Sequence, residues 1–235
     1  MGILLLEGGA EFGGRMSEPD LRAIQLAGGP EARIAILPTA AAPDHNHERA
    51  GRNGLRWFES LGASRLDLVP VIDRASAADP ALAARIRSAR LIYMLGGFPG
   101  YLAETLVGSR VWQAALDAYA EGAVVGGSSA GAMVLCQHLY DPERGKPLPG
   151  LNLLTNACVL PHHNAFGRSW APRLAGALPG VTLVGIDEQT GILENPPGTW
   201  SVYGAGQVAL YRGATPSLYS SGETFELTDR SISSD

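Results

Sequence analysis

Short, mostly apolar runs recur through the first two-thirds of the chain, and each alternates with a segment of helical periodicity. The runs are Ile3–Leu6, Ile34–Leu37, Leu66–Val71, Leu91–Leu95 and Ala123–Val125. A strand with one wet face alternates apolar and polar residues; a strand that is apolar throughout must be covered on both faces. Strands of that kind separated by helices predict a parallel sheet with helices on both sides, an α/β fold in three layers with a doubly wound, mostly parallel sheet.

The intervening segments carry helix signals. Ser17, with Asp20 three residues on, predicts a capping box for a helix running to about Ala27. Glu48–Leu61 places Leu55, Phe58 and Leu61 on one face and Gly62 just past its end. Asp79 and Pro80 stand as N-cap and first residue of a helix over Pro80–Ser88, and Val111–Glu121 is ended by Gly122. Toward the C-terminus the pattern changes. Val181–Ile186, Gly191–Glu194, Trp200–Tyr203 and Gln207–Tyr211 are short and separated by turns, which predicts antiparallel strands. The tail from Thr228 to Asp235 is polar and expected to fray.

With 235 residues, 46% of them hydrophobic and 17% charged, the chain has material for a large core and is expected to form one domain over 1–235. That composition excludes a disordered chain or a coiled coil. The 18 Lys and Arg residues are scattered and the net charge is −5, so nucleic acid is not an expected partner. Cys136 and Cys158 form no C-x-x-C pair and read as buried, reduced thiols. The first apolar run stops at Glu7, too short for a signal h-region, and no long apolar span follows. A soluble, cytoplasmic protein without a membrane partner is expected; an exposed face leaves a homodimer open.

In open α/β sheets ligands bind beyond the carboxyl ends of the strands. Gly126-Gly127-Ser128-Ser129-Ala130-Gly131-Ala132 follows the fifth strand, and its G-x-S-x-G core fits a nucleophile elbow, with Ser129 central and favoured over Ser128. Small neighbours let a sharp strand-to-helix turn close and lift the serine into solvent. Gly96-Gly97-Phe98 follows the fourth strand, where the Gly97 N–H can join that of Ala130 as an oxyanion hole. A serine needs a base. Among five histidines, His162 and His163 follow the apolar run Ala157–Leu160, whereas His138, on the helix behind the turn, reads as structural. Asp187 or Glu188, after Val184-Gly185-Ile186, can orient the imidazole. The order serine, histidine, acid argues against an α/β-hydrolase, in which the acid precedes the histidine.

These segments, Leu95-Gly96-Gly97, Gly127-Ser128-Ser129-Ala130-Gly131-Ala132, Pro161-His162-His163 and Gly185-Ile186-Asp187-Glu188, resemble the peptidase E and cyanophycinase family over nearly the whole chain. The resemblance implies a flavodoxin-like, glutamine amidotransferase-like fold and a serine peptidase acting on short peptides, with aspartyl dipeptides or β-aspartyl, cyanophycin-like chains as substrates. It implies Ser129 as nucleophile, Gly97 and Ala130 as oxyanion hole, His162 as base ahead of His163, and Glu188 as acid ahead of Asp187. Phe98, His163, Arg168 and Arg173 are the implied substrate-binding residues; the family's arginine-rich stretch is reduced here to those two arginines. No cofactor is implied.

Three other readings bear on the same residues. A glutamine amidotransferase would carry cysteine where Ser129 stands. A catalytically silent protein could bind a small ligand or partner in the cleft. Asp44, His45 and His47 alternate on a loop, too few to make a metal site, and no metal is expected.

Overall fold

The structure is a computed structural model that describes residues 2–213 and 215–227; the tail expected to fray lies outside the described residues. In chain order the strands are β1 (Ile3–Glu7), β2 (Arg33–Leu37), β3 (Arg65–Leu68), β4 (Leu91–Met94), β5 (Val124–Ser128), β6 (His138–Asp141), β7 (Lys146–Pro149), β8 (Ala157–Leu160), β9 (Thr182–Ile186), β10 (Thr190–Glu194), β11 (Thr199–Gly204), β12 (Gln207–Tyr211), β13 (Ser217–Ser220) and β14 (Thr224–Glu226). The helices are α1 (Ser17–Leu26), α2 (His47–Ser60), α3 (Arg74–Ala77), α4 (Pro80–Arg87), α5 (Pro99–Leu106), α6 (Arg110–Ala120), α7 (Ala130–Leu135) and α8 (Ala171–Ala177).

Eight strands form the main sheet in the order β14-β11-β10-β1-β5-β4-β2-β3. From β1 to β3 all pairs are parallel, and β10, β11 and β14 continue the sheet antiparallel. The pleat sends alternate side chains to opposite layers. Leu4, Leu6, Ile92 and Met94 enter one core, and Leu5, Leu91 and Tyr93 the other. That is why these runs carry no polar alternation. Burying each such leucine contributes roughly 1.5–3 kcal/mol.

The last third departs from a simple antiparallel extension. β9 pairs parallel with β8 and antiparallel with β12, which pairs with β13, so these four strands make a separate sheet. A β6–β7 hairpin makes a third. His138 opens β6 and does not sit on a helix, because α7 stops at Leu135. Helices α3, α5 and α8 and strands β6, β7, β13 and β14 are further short elements that the sequence pattern did not mark.

Several local expectations are corrected. The third strand ends at Leu68, before Pro70. The face that α2 buries is Gly51, Gly54 and Phe58, with Leu55 and Leu61 only partly covered. The glycines let Leu68 and Ile36 of the sheet approach the helix, since a Cβ on Gly51 would stand 2.5 Å from Leu68 Cδ1. Asp79 does cap α4, accepting from the Ala81 N–H at 2.7 Å. The capping box of α1 does not form: Met16 is its N-cap with no side-chain bond, and Asp20 is drawn inside.

Asp20 accepts the Trp57 indole N–H at 2.7 Å, while Glu7, wholly buried at the end of β1, accepts the Tyr93 hydroxyl. One oxygen of each acid, Glu7 Oε1 and Asp20 Oδ1, has no donor. A single proton held on Glu7 and offered to Asp20 would satisfy both. Burial and the neighbouring negative charge of Asp20 push Glu7 well above the usual carboxylate range; burial likewise raises Asp20 to about 7.

Two outcomes follow from this packing. Phe58 is fully buried and meets Tyr93 edge-on at 5.1 Å, so Phe58→Ala should cost about 3–5 kcal/mol in denaturant unfolding. The acids give a pH dependence. Below the ordinary carboxylate range folded and unfolded chains both hold these protons; as pH rises the unfolded chain releases them first, so stability falls through the ionisation of Asp20 in the fold near 7 and onward until Glu7 ionises too. Glu7→Gln should make the loss of stability between about pH 5 and about pH 8 shallower, and an unchanged slope in urea unfolding would sink the shared-proton account.

Candidate active site

Ser129 stands between β5 and α7 with φ 51° and ψ −112°, a conformation that L residues disfavour. The turn closes because its flanks lack side chains: a Cβ on Gly127 or Gly131 would lie 2.3 Å or 2.1 Å from the Met94 carbonyl oxygen of β4. The Ser129 N–H donates to the Glu7 carbonyl at 3.0 Å, and the Ser129 carbonyl accepts from Ala132 and Met133 of α7. This backbone turns the Ser129 hydroxyl out of the core, while Ser128 is fully buried and donates to Glu11 Oε2 at 2.9 Å.

His162 follows β8 and also lies in the left-handed region, at φ 49°. Its N–H donates to the Gly8 carbonyl at 2.6 Å, and its own carbonyl accepts from Ala165, Phe166 and Gly167. The imidazole is therefore held from both sides of its backbone. Gly9, at φ +106°, leaves the room that the ring fills, since a Cβ there would stand 2.2 Å from His162 Cε1. The half-exposed ring of Phe166 stacks on the imidazole at 4.8 Å with 22° between planes. His162 Nε2 lies 3.0 Å from Ser129 Oγ, and Nδ1 lies 2.7 Å from Glu188 Oε1. Glu188 is placed by its own N–H, which donates to Asn164 Oδ1 at 2.9 Å. A hydroxyl, an imidazole and a carboxylate in hydrogen-bonded series can move a proton off the hydroxyl and stabilise the resulting imidazolium.

His163 and Asp187 are not part of that series. The His163 ring turns inward, Nδ1 3.3 Å from Asp187 Oδ1 and Nε2 2.8 Å from the Tyr211 hydroxyl. Burial lowers the His163 pKa, with Asp187 offsetting part of the effect, which favours the neutral ring. Adjacent residues point to opposite sides here because both His162-His163 and Asp187-Glu188 lie where extended strands give way to turns. Gly185 makes room for the inward ring, as a Cβ there would sit 2.3 Å from His163 Cδ2.

His163, Asp187 and Tyr211 line a cavity of about 330 Å³ together with Asn164, Arg168 and Gln207. Arg168 is thus beside the inward-turned His163 and Asp187. Arg173 is not among the residues lining that cavity; it points to the turn after β6, 3.7 Å from the Cβ position of Gly145.

Gly96 and Gly97 follow β4 and abut the serine turn, a Cβ on Gly96 being 3.3 Å from Ser129 Cβ. Gly97, at φ +139°, lies against the Ala40 carbonyl, and the next N–H, that of Phe98, donates to that carbonyl at 2.9 Å. Among the described residues the N–H groups of Gly97 and Ala130 meet no backbone acceptor. Cys136 and Cys158 are buried free thiols away from this turn, and burial pushes Cys136 up to about 12. Among the described residues no three His, Cys, Asp or Glu side chains gather as a metal-holding group, His45 and His47 included, and no helix is long and apolar enough to cross a membrane.

Gly8-Gly9 and Glu11 border the site without belonging to any of the motifs that mark it in the sequence. The rule that pointed to the ends of β4 and β5 applies equally to β1, and a glycine pair follows that strand too. Glu11 gave no local signal, because only the folded loop carries it to Ser128.

The chain is 30% identical to a cyanophycinase of Synechococcus elongatus, over 89% of this chain and 67% of that protein. It is 29% identical to a cyanophycinase of Geminocystis herdmanii, over 94% and 84%. The crystal structure of a peptidase from an acI-B1 actinobacterium superposes with a TM-score of 0.85 at 30% identity, covering 97% of both chains. A putative peptidase E from Listeria monocytogenes shares the fold at a TM-score of 0.61 and 19% identity, over 91% of this chain and all of that one. The model of peptidase family S51 matches residues 4–195, which spans the serine turn, both histidines and the Asp187-Glu188 pair, and the chain belongs to that peptidase family.

Proposed function

We propose that this protein is a serine peptidase that hydrolyses short peptides, with aspartyl dipeptides or β-aspartyl, cyanophycin-like peptides as its substrate class. The observation that carries the reading is the continuous series Ser129 Oγ, His162 and Glu188, with contacts of 3.0 Å and 2.7 Å. The cyanophycinase relatives support the substrate class.

A carboxylate only accepts, so Glu188 keeps the imidazole proton on Nδ1 and leaves the Nε2 lone pair facing Ser129. Ser129 Oγ attacks the amide carbon while its proton passes to Nε2. The carbonyl oxygen becomes an oxyanion that the N–H groups of Gly97 and Ala130 stabilise. Collapse breaks the C–N bond, His162 protonates the leaving amine, and an ester to Ser129 remains. Water then attacks that ester, giving its proton to His162, and the acid leaves as the Ser129 hydroxyl re-forms. Arg168, in the neighbouring cavity, is the group to receive a substrate carboxylate, and Phe98 borders the oxyanion side.

A dipeptide library assayed with purified protein tests this. Ser129→Ala and His162→Ala should each lower kcat by several orders of magnitude, leaving about 10³–10⁴-fold catalysis over water. His163→Ala should act mainly on stability, since its ring is bonded inward. A fluorophosphonate should label Ser129 in the wild type; hydrolysis at the wild-type rate by Ser129→Ala, or folded protein that resists labelling, would overturn the assignment and favour a silent binding protein.

A further inference from the structure

Glu11 lies in the loop between β1 and α1 and has no role in the chemistry above. Its neighbours Ala10 and Phe12 both hold positive φ, 55° and 69°, which fixes the direction of the side chain between them. Phe12 anchors the loop against Trp57 and Tyr93 at centroid distances of 6.3 Å and 6.2 Å. The half-buried carboxylate is thereby held over the serine turn. Oε2 accepts from the Ser128 hydroxyl at 2.9 Å. Oε1 lies 3.3 Å from the Cβ position of Gly96, and Ser129 Cβ lies 3.3 Å from that same point, so carboxylate and serine face each other across the glycine. Among the described residues no Arg, Lys or His forms an ion pair with Glu11; nearby Arg15 is taken by Glu18.

A carboxylate half out of water beside a reacting centre, with one oxygen unmatched, is satisfied by a cation and left costly by a neutral group. When Ser129 attacks an amino-terminal residue, that residue's α-amino nitrogen is two covalent bonds from the reacting carbon in an α-linked peptide and three in a β-aspartyl one, within the space that Glu11 borders. A substrate blocked or extended at that nitrogen carries a neutral amide there instead. We propose that Glu11 is a specificity residue that binds the free α-ammonium group of the substrate's acyl-side residue, so that the site selects unblocked amino termini. The proposal rests on the reading of Ser129 as nucleophile.

Binding to the Ser129→Ala variant separates recognition from turnover. Calorimetry with aspartyl-leucine and β-aspartyl-leucine, each with and without an N-acetyl group, should show the unblocked peptides binding about 10- to 100-fold more tightly. Adding Glu11→Gln keeps an acceptor for the Ser128 hydroxyl and removes the charge; blocked and unblocked peptides should then bind alike, with the thermal midpoint little changed. A preference for the free amine that survives Glu11→Gln would overturn the proposal, as would no preference, or no binding of unblocked peptide, in Ser129→Ala alone. If Glu11→Gln does not fold, Glu11→Asp, which keeps the charge but draws it back by one methylene, should weaken the preference for the free amine, and an unchanged preference overturns the proposal. Failure here with Ser129 still labelled by fluorophosphonate removes only the role of Glu11, whereas hydrolysis that survives Ser129→Ala removes the nucleophile assignment itself.

Discussion

Three successive carbonyls at the end of β1 hold the candidate site together. Glu7 accepts from the Ser129 N–H at 3.0 Å, Gly8 from the His162 N–H at 2.6 Å, and Gly9 from the Gln189 N–H at 3.0 Å. Those three donors belong to segments far apart in the chain, the turns after β5, β8 and β9. Each also has a residue in the left-handed region, Ser129, His162 and Gln189, which a short turn would not keep on its own. The serine, the imidazole and the Glu188 carboxylate meet at hydrogen-bond distance because one strand end fixes the backbone beneath all of them.

That strand end is itself anchored from below. Glu7 turns its side chain into the layer containing Tyr93, Trp57 and Asp20, where it accepts the Tyr93 hydroxyl and burial favours its protonated, uncharged form. Glycine then sets the distances above. Gly127 and Gly131 let the serine turn close on β4, and Gly9 lets the imidazole settle against β1. Any larger residue would push one partner of the series away by more than a hydrogen bond can stretch.

The parallel core was legible because strands buried on both faces carry an unmistakable pattern, as Leu91–Met94 and Val124–Val125 do. The serine turn was legible because its glycines and serines are contiguous. His162, His163, Asp187 and Glu188 could be placed at strand ends, but which of each pair faces Ser129 depends on a turn conformation that neighbouring residues do not encode. The capping box at Ser17 misled for a related reason: Asp20 finds better partners across the structure, in Trp57 and Glu7, than the first turn of its own helix offers. Gly51 and Gly54 carry no apolar side chain for a periodic pattern to mark, though they make the contact with Leu68 and Ile36.

By itself, the sequence determined the layered α/β plan, the strained serine turn and the pool of residues from which a base and an acid would be drawn, because each is written in contiguous residues or in a short period. Only the tertiary structure decided that His162 and Glu188 face Ser129 while His163 and Asp187 turn inward to Tyr211, that β8, β9, β12 and β13 leave the main sheet, and that Glu11 comes to lie beside the serine. Those outcomes depend on hydrogen bonds and close approaches between segments distant in the chain, from 24 residues for His163 and Asp187 to 117 for Ser128 and Glu11, and no local pattern records them.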